Sequence, residues 1–188
     1  MVVAVAATLA IGDWLTDDAP EYTDSIVLSE PGIFTEPVED AESPNPDSSG
    51  RPLPDVTFKD ASGAERSLAE FRGTPLIVNN WFVNCPPCAR ELGDFAAVHA
   101  ELQAAGREIQ IVGVNPQDTA ERMVEFAAER GVAYELWRDP MRTFGVELGI
   151  AAYPVTLFID ADGTIVRQVG EIDAAGLRAA IDELFPAA

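Results

Sequence analysis

The chain has 188 residues, 47% of them hydrophobic, which is enough to bury the core of one domain with an added segment. Its formal charge of −20 is unevenly placed: residues 1–50 hold 11 Asp or Glu and no Lys or Arg, leaving 21 acidic against 12 basic residues in the remainder. An acidic leader of this kind repels phosphate backbones and anionic lipid surfaces, which excludes nucleic acid binding and peripheral electrostatic attachment to membranes.

Met1 to Ile11 is apolar apart from Thr8, and Trp14 and Leu15 extend the stretch to about 15 residues, short of the ~20 needed to cross a bilayer as a helix. No basic residue precedes it, and the first Lys or Arg is Arg51. Residues 1–15 are therefore expected to be part of a membrane anchor or signal segment that begins upstream, with a packed N-terminal helix as the alternative. Residues 16–50 carry Pro20, Pro31, Pro37, Pro44 and Pro46 among acids and serines with no sustained period, and read as a disordered tether. Residues 51–188 are the expected folded domain.

In that domain, Val56-Thr57-Phe58, the turn residues Asp60 to Gly63 and Arg66 to Phe71 predict a β-hairpin leading into a short helix. Pro75 to Trp81 predicts a strand buried on both faces. Pro86 to Gln103 has the helical period through Leu92, Phe95, Val98 or His99, and Leu102. Ile109 to Val114 predicts a second buried strand, Thr119 to Arg130 a helix stopped by Gly131, and Tyr134 to Trp137 a short strand. A helix around Met141 to Leu148, strands Val155 to Ile159 and Thr164 to Val169 about the Asp162-Gly163 turn, and a helix from Asp173 to Leu184 complete the pattern. Parallel crossover units followed by a terminal hairpin make an α/β sheet covered by helices on both faces.

Cys85 and Cys88 are the only two cysteines. A local pair cannot staple distant segments, so its role is chemical. It lies where a buried strand gives way to a helix, and there the unpaired N–H groups and the positive end of the helix dipole favour an anion, which makes Cys85 the attacking thiolate. Cys88, three positions on, is within reach of an intramolecular disulfide and acts as the resolving thiol. Pro86 and Pro87 have no N–H, which removes two donors from the Cys85 sulfur and argues for a less acidic thiol and a more reducing couple. Zinc needs four ligands, and the chain offers no third cysteine and only His99, so a closed site would need carboxylates or a second chain; no metal is expected. An inert structural disulfide is the other alternative, although so small a loop constrains the unfolded chain little. Far away in sequence, Tyr153-Pro154 directly precedes the strand Val155 to Ile159.

The run VNNWFVNCPPCARE, Asp139-Pro140 and GIAAYPVTLFIDADGTIV together resemble the TlpA/ResA-like membrane-anchored thioredoxin-like thiol-disulfide oxidoreductases of bacteria, a redoxin and AhpC-TSA-related group, over roughly Arg51 to Phe185. The resemblance implies a thioredoxin fold with a central mixed β-sheet, an N-terminal β-hairpin and an inserted α-β element over about Pro116 to Trp137. It implies a cis Pro154 that faces Cys85 and helps hold substrate, and a site in which Trp81, Asn84, Pro86, Pro87, Glu91, Tyr153 and Pro154 surround the cysteines. Glu91 either tunes the thiols and relays a proton or simply favours the first turn of its helix. Asn84 stands where the family often has Trp, Asn79 where cytoplasmic thioredoxins place a buried acid, and Leu92-Gly93 where a proline often follows the glutamate. These departures bear on the partner surface and redox poise rather than on the fold. His99, three helical turns beyond Cys88, reads as structural.

The implied function is extracytoplasmic disulfide exchange with protein substrates, more reductive than oxidative, in cytochrome c maturation or disulfide repair. It needs no cofactor beyond the Cys85–Cys88 disulfide, and calls for an upstream membrane redox partner, a monomeric state and anchoring at the outer face of the cell membrane or secretion. A peroxiredoxin-like peroxidase is an alternative, which wants a Pro and a Thr or Ser upstream of its reactive cysteine where Phe82-Val83-Asn84 stand. A non-catalytic metal-delivery module is another.

Overall fold

The computed structural model describes residues 44–187. The anchor or signal segment expected over residues 1–15 and the tether as far as residue 43 lie outside them. Seven strands form one mixed sheet in the order β2-β1-β5-β4-β3-β6-β7: β1 Thr57–Asp60, β2 Glu65–Ser67, β3 Leu76–Asn80, β4 Gln110–Asn115, β5 Glu135–Arg138, β6 Val155–Ile159 and β7 Ile165–Val169. Strands β3, β4 and β5 run parallel, and the remaining pairings are antiparallel.

Alternation along the central strands sorts their side chains to two cores. Leu76, Val78, Val112, Val114, Val155 and Leu157 face Leu68 of a 3₁₀ turn (Leu68–Phe71) and Phe144 and Leu148 of α3 (Thr143–Leu148). Ile77, Ile111 and Phe158 point the other way, onto Phe95, Val98 and Leu102 of α1 (Pro86–Ala104) and Leu177 and Ile181 of α4 (Ala174–Leu184). Helices thus cover both faces, as expected.

The helix ends explain the element boundaries. Ser67 and Glu70 form a reciprocal capping box on the 3₁₀ turn. Beyond α1, Gly106 takes φ 63° while its N–H bonds the Gln103 carbonyl and the Arg107 N–H bonds that of Leu102, a Schellman ending. Thr119 and Asp173 cap α2 (Ala120–Ala128) and α4. The inserted pair, α2 and β5, lies between β4 and α3 in sequence, and β5 joins the hairpin to the rest of the sheet.

One boundary differs from expectation. The domain begins before Arg51, because residues 44–50 are folded onto it. Asn45 and Ser48 are buried, the Gln168 side chain donates to the Pro46 carbonyl at 2.9 Å and accepts from the Ser48 N–H at 3.3 Å, and the Gly50 N–H bonds the Ile165 carbonyl at 2.8 Å. Proline, serine and acid content marks a chain without a hydrophobic face. Polar side chains and backbone edges dock this one.

Candidate active site

The site lies past the carboxyl ends of β3 and β4, where open α/β sheets expose the loops that carry chemistry. Strand β3 ends at Asn80, Trp81 donates its N–H to the Val114 carbonyl at 3.0 Å, and α1 begins five residues further on, at Pro86. Cys85 is the helix N-cap, with extended φ and ψ of −113° and 101°, and Pro86 and Pro87 occupy the first two helical positions. The cysteines are joined in a disulfide, their Cα atoms 5.2 Å apart. Cys85 is 4% exposed and Cys88 is fully buried. In this first turn the prolines leave the Cys88 N–H to face the Cys85 sulfur, at 3.3 Å.

Trp81 is wholly buried, stacked on Phe126 of α2, and lies over Gly113 of β4. A Cβ at Gly113 would come within 2.9 Å of the Trp81 indole nitrogen and 2.8 Å of Leu136, so only glycine admits the indole there. Phe82 packs edge-on against Tyr153, their centroids 5.5 Å apart. The Tyr153-Pro154 bond is cis, Tyr153 packs against the cluster holding both cysteines, and Pro154 shares a groove with Pro87. Asn84 is exposed and accepts a hydrogen bond from Arg122 at 2.9 Å.

Glu91 lies one turn beyond Cys88 on the same face of α1 and is 1% exposed. Its carboxylate accepts from Asn79 Nδ2 at 2.6 Å and from the Ile172 N–H at 3.1 Å, and Asn79 also donates to Thr156 at 3.3 Å. Burial pushes the Glu91 carboxyl up to about 7, against the lowering by those two hydrogen bonds. An acid placed only to favour a first helical turn would face water, whereas this carboxylate is buried and hydrogen-bonded. Asn79, on β3, is thus the hydrogen-bond partner of a buried acid carried by α1.

Several residues at the site gave no functional signal in the sequence. Asp118 accepts from the Val83 N–H at 2.8 Å and Asn115 Nδ2 at 2.9 Å, and lies 3.5 Å from Arg122. Beside Thr119, Asp118 reads only as a helix entry. Asn45 reaches the loop before Tyr153 from the far end of the chain. His99 stays apart from the cysteines: it is half-buried with its ring edge-on to Tyr134 at 5.6 Å, and burial lowers its pKa. Among the described residues, no group of three or more His, Cys, Asp or Glu is placed to hold a metal ion, and no helix is long and apolar enough to cross a membrane.

A model of the AhpC/TSA family matches residues 49–168. The chain belongs to the AhpC/TSA family. The thiol:disulfide interchange protein DsbE of Allochromatium vinosum is 30% identical to it over 130 residues, covering 66% of this chain and 68% of that protein. DsbE of Pseudomonas fluorescens biotype C is 32% identical over 149 residues, covering 73% and 80%. The thiol-disulfide oxidoreductase ResA of Geobacillus thermodenitrificans is 26% identical over 120 residues, covering 64% and 68%. Among solved structures, a secreted Mycobacterium tuberculosis disulfide oxidoreductase homologous to E. coli DsbE superimposes with a TM-score of 0.62 at 21% identity, covering 69% of this chain and 96% of that one. Fold and relatives make this AhpC/TSA member a thioredoxin-fold enzyme of the thiol-disulfide oxidoreductase class.

Proposed function

We propose that the protein reduces disulfides in polypeptide substrates on the extracytoplasmic side of the membrane, using Cys85 as nucleophile and Cys88 as resolving thiol. The observation that carries this reading is the placement of Cys85 as the N-cap of α1, beside the groove formed by Pro87 and the cis-proline loop.

In the reduced protein the Cys85 thiolate attacks one sulfur of a substrate disulfide. The substrate S–S bond breaks, one substrate sulfur leaves as a thiolate, and Cys85 is left in a mixed disulfide. Cys88 then loses its proton, which the Glu91 carboxylate accepts, and attacks the Cys85 sulfur. The second substrate thiolate leaves, two electrons have passed to substrate, and the Cys85–Cys88 disulfide is restored. A membrane-bound dithiol partner resets the pair in a cytochrome c maturation or repair setting, and the relatives named as a thiol:disulfide interchange protein and a thiol-disulfide oxidoreductase support the exchange chemistry. The reducing direction rests on the prolines: a single first-turn amide facing the Cys85 sulfur stabilises its thiolate less than three would.

Insulin reduction in the presence of dithiothreitol tests the reading. The wild-type protein accelerates it, Cys85→Ser abolishes the acceleration, and Cys88→Ser accumulates mixed disulfides whose protein partners can be recovered. A wild-type protein without activity overturns the proposal. A Cys85 pKa below about 5 overturns the reducing assignment.

A further inference from the structure

The segment 44–50 meets the site at one point. Asn45 is 6% exposed and makes three hydrogen bonds to two consecutive residues 106 and 107 positions away: its Oδ1 accepts from the Ala151 N–H at 2.7 Å and the Ala152 N–H at 2.9 Å, and its Nδ2 donates to the Ala152 carbonyl at 2.8 Å. Ala152 is the residue before the cis Tyr153-Pro154 bond. One amide side chain therefore pairs with the loop as a neighbouring strand would, and satisfies backbone groups that the loop's irregular course leaves without a ladder partner.

The rest of the segment fixes where that amide sits. Pro46 and Ser48 are gripped by the two ends of the Gln168 side chain on β7. Pro46 also abuts Gly149, where φ is 71° and an added Cβ would lie 2.8 Å from the Pro46 ring. Pro44 and Asn45 line one groove together with Ala152 to Pro154, Pro87 and Glu171. Glu171 is itself held by a two-pronged bond from Arg90 at 2.7 and 2.8 Å.

We propose that Asn45 is a substrate-positioning residue, and that the segment leading into the domain forms one wall of the groove that receives an extended polypeptide next to its disulfide. The inference rests on the proposed disulfide exchange. A protein substrate must lay several residues along the loop for Cys85 to reach its sulfur, so it depends on the loop's backbone course. A small aromatic disulfide needs only the sulfur of Cys85. Asn45 should therefore matter to the first kind of substrate and not to the second.

The test uses the full chain and two reactions, insulin reduction and the second-order reaction of the reduced protein with 5,5′-dithiobis(2-nitrobenzoate). Asn45→Ala is expected to raise KM for insulin about tenfold with kcat and the small-disulfide rate within about twofold of wild type. Asn45→Asp keeps both acceptor contacts but sets a second acceptor oxygen against the Ala152 carbonyl in place of the donor, so its KM should also rise by about tenfold. An unchanged KM in both variants overturns the proposal, as does a parallel loss in both reactions, which a general structural role would give. If Asn45→Ala does not fold, Asn45→Asp decides alone by the same criteria. A wild-type protein inactive on insulin counts against disulfide exchange itself, whereas an active wild type with an indifferent Asn45 counts against this inference only.

Discussion

Strand β3 is equally buried along its length, yet its two ends differ in kind. Leu76, Ile77 and Val78 are between 0 and 1% exposed and belong to the two apolar cores, whereas Asn79 and Asn80 are 0 and 2% exposed and carry amides. The neighbours repeat the division. In β4, Ile111 and Val112 give way to Asn115, and β6 sets Thr156 at its start and Phe158 and Ile159 towards its end. The apolar end is held by burial, which is favourable wherever it occurs. At the polar end Asn79 donates to both Glu91 and Thr156, and Asn115 donates to Asp118, which offsets part of the cost of burying these groups. Polar groups concentrated at one end of a buried sheet mark the end that does chemistry.

The sharpest way to break the comparison is to lose function at one end and stability at the other. Cys85→Ser should lower insulin reduction by at least about three orders of magnitude, since the remaining thiol, Cys88, is fully buried and out of reach of a polypeptide disulfide. The reduced variant should keep nearly the stability of the reduced wild type. Leu76→Ala at the apolar end should lower unfolding free energy by about 3 kcal/mol in urea titration while leaving activity per folded molecule unchanged. A large activity loss in Leu76→Ala at a temperature where it remains folded would dissolve the distinction.

Glu91 gives the next largest effect. Its folded pKa is raised to about 7 from the ordinary 4.5, so between those values the folded state binds a proton that the unfolded state has released. The contribution of this group to stability is therefore highest below pH 4.5, falls as pH rises, and is flat above 7, a loss of about 3 kcal/mol. Carboxylates whose pKa is lowered by ion pairing, such as Glu171 beside Arg90, act in the opposite sense at lower pH. The measurement is accordingly the difference between wild type and Glu91→Gln: the decline from pH 4.5 to 7 should be present in the first and absent in the second. In insulin reduction, Glu91→Gln should also lose the rise in rate centred near pH 7 that follows from a carboxylate accepting the Cys88 proton. A variant with the wild-type pH profile would leave Glu91 with no part in the transfer.

The sequence reveals the apolar end better than the polar one. Periodicity places every strand and helix within a residue or two at most ends, because alternation and the 3.6-residue repeat are imposed by burial itself: Leu92, Phe95, Val98 and Leu102 all face the sheet. CPPC and Tyr153-Pro154 are legible as motifs. The depth of Glu91 is not, since its neighbours in sequence are the same whether α1 turns it to water or to Asn79. Asn45 and Asp118 are harder still. Each acts through hydrogen bonds to the backbone of residues 106 or 107 and 35 positions away, and a backbone N–H leaves no trace in residue identity. The same holds for residues 44–50, whose composition is that of a tether and whose position is fixed by Gln168 and β7.

Asp118 offers the smallest effect and the finest test of the polar end. Its carboxylate joins the inserted element to the two residues before Cys85: it accepts from the Val83 N–H, while its ion-pair partner Arg122 donates to Asn84. Asp118→Ala leaves the Val83 N–H and the Asn115 amide without their acceptor, a cost of about 2 kcal/mol on the hydrogen-bond scale. Asp118→Asn can still present one oxygen to both donors but loses the charge facing Arg122, a half-exposed pair worth at most about 1 kcal/mol. If the polar end only needs satisfied donors, Asp118→Asn should match wild type in thermal unfolding and in the rate at which Cys85 attacks a small disulfide, and Asp118→Ala should fall in both. If instead the Asn variant already loses reactivity at unchanged stability, the charge at Arg122 sets how Asn84 and Cys85 are presented. The insert would then belong to the chemistry of the site as well as to its scaffold.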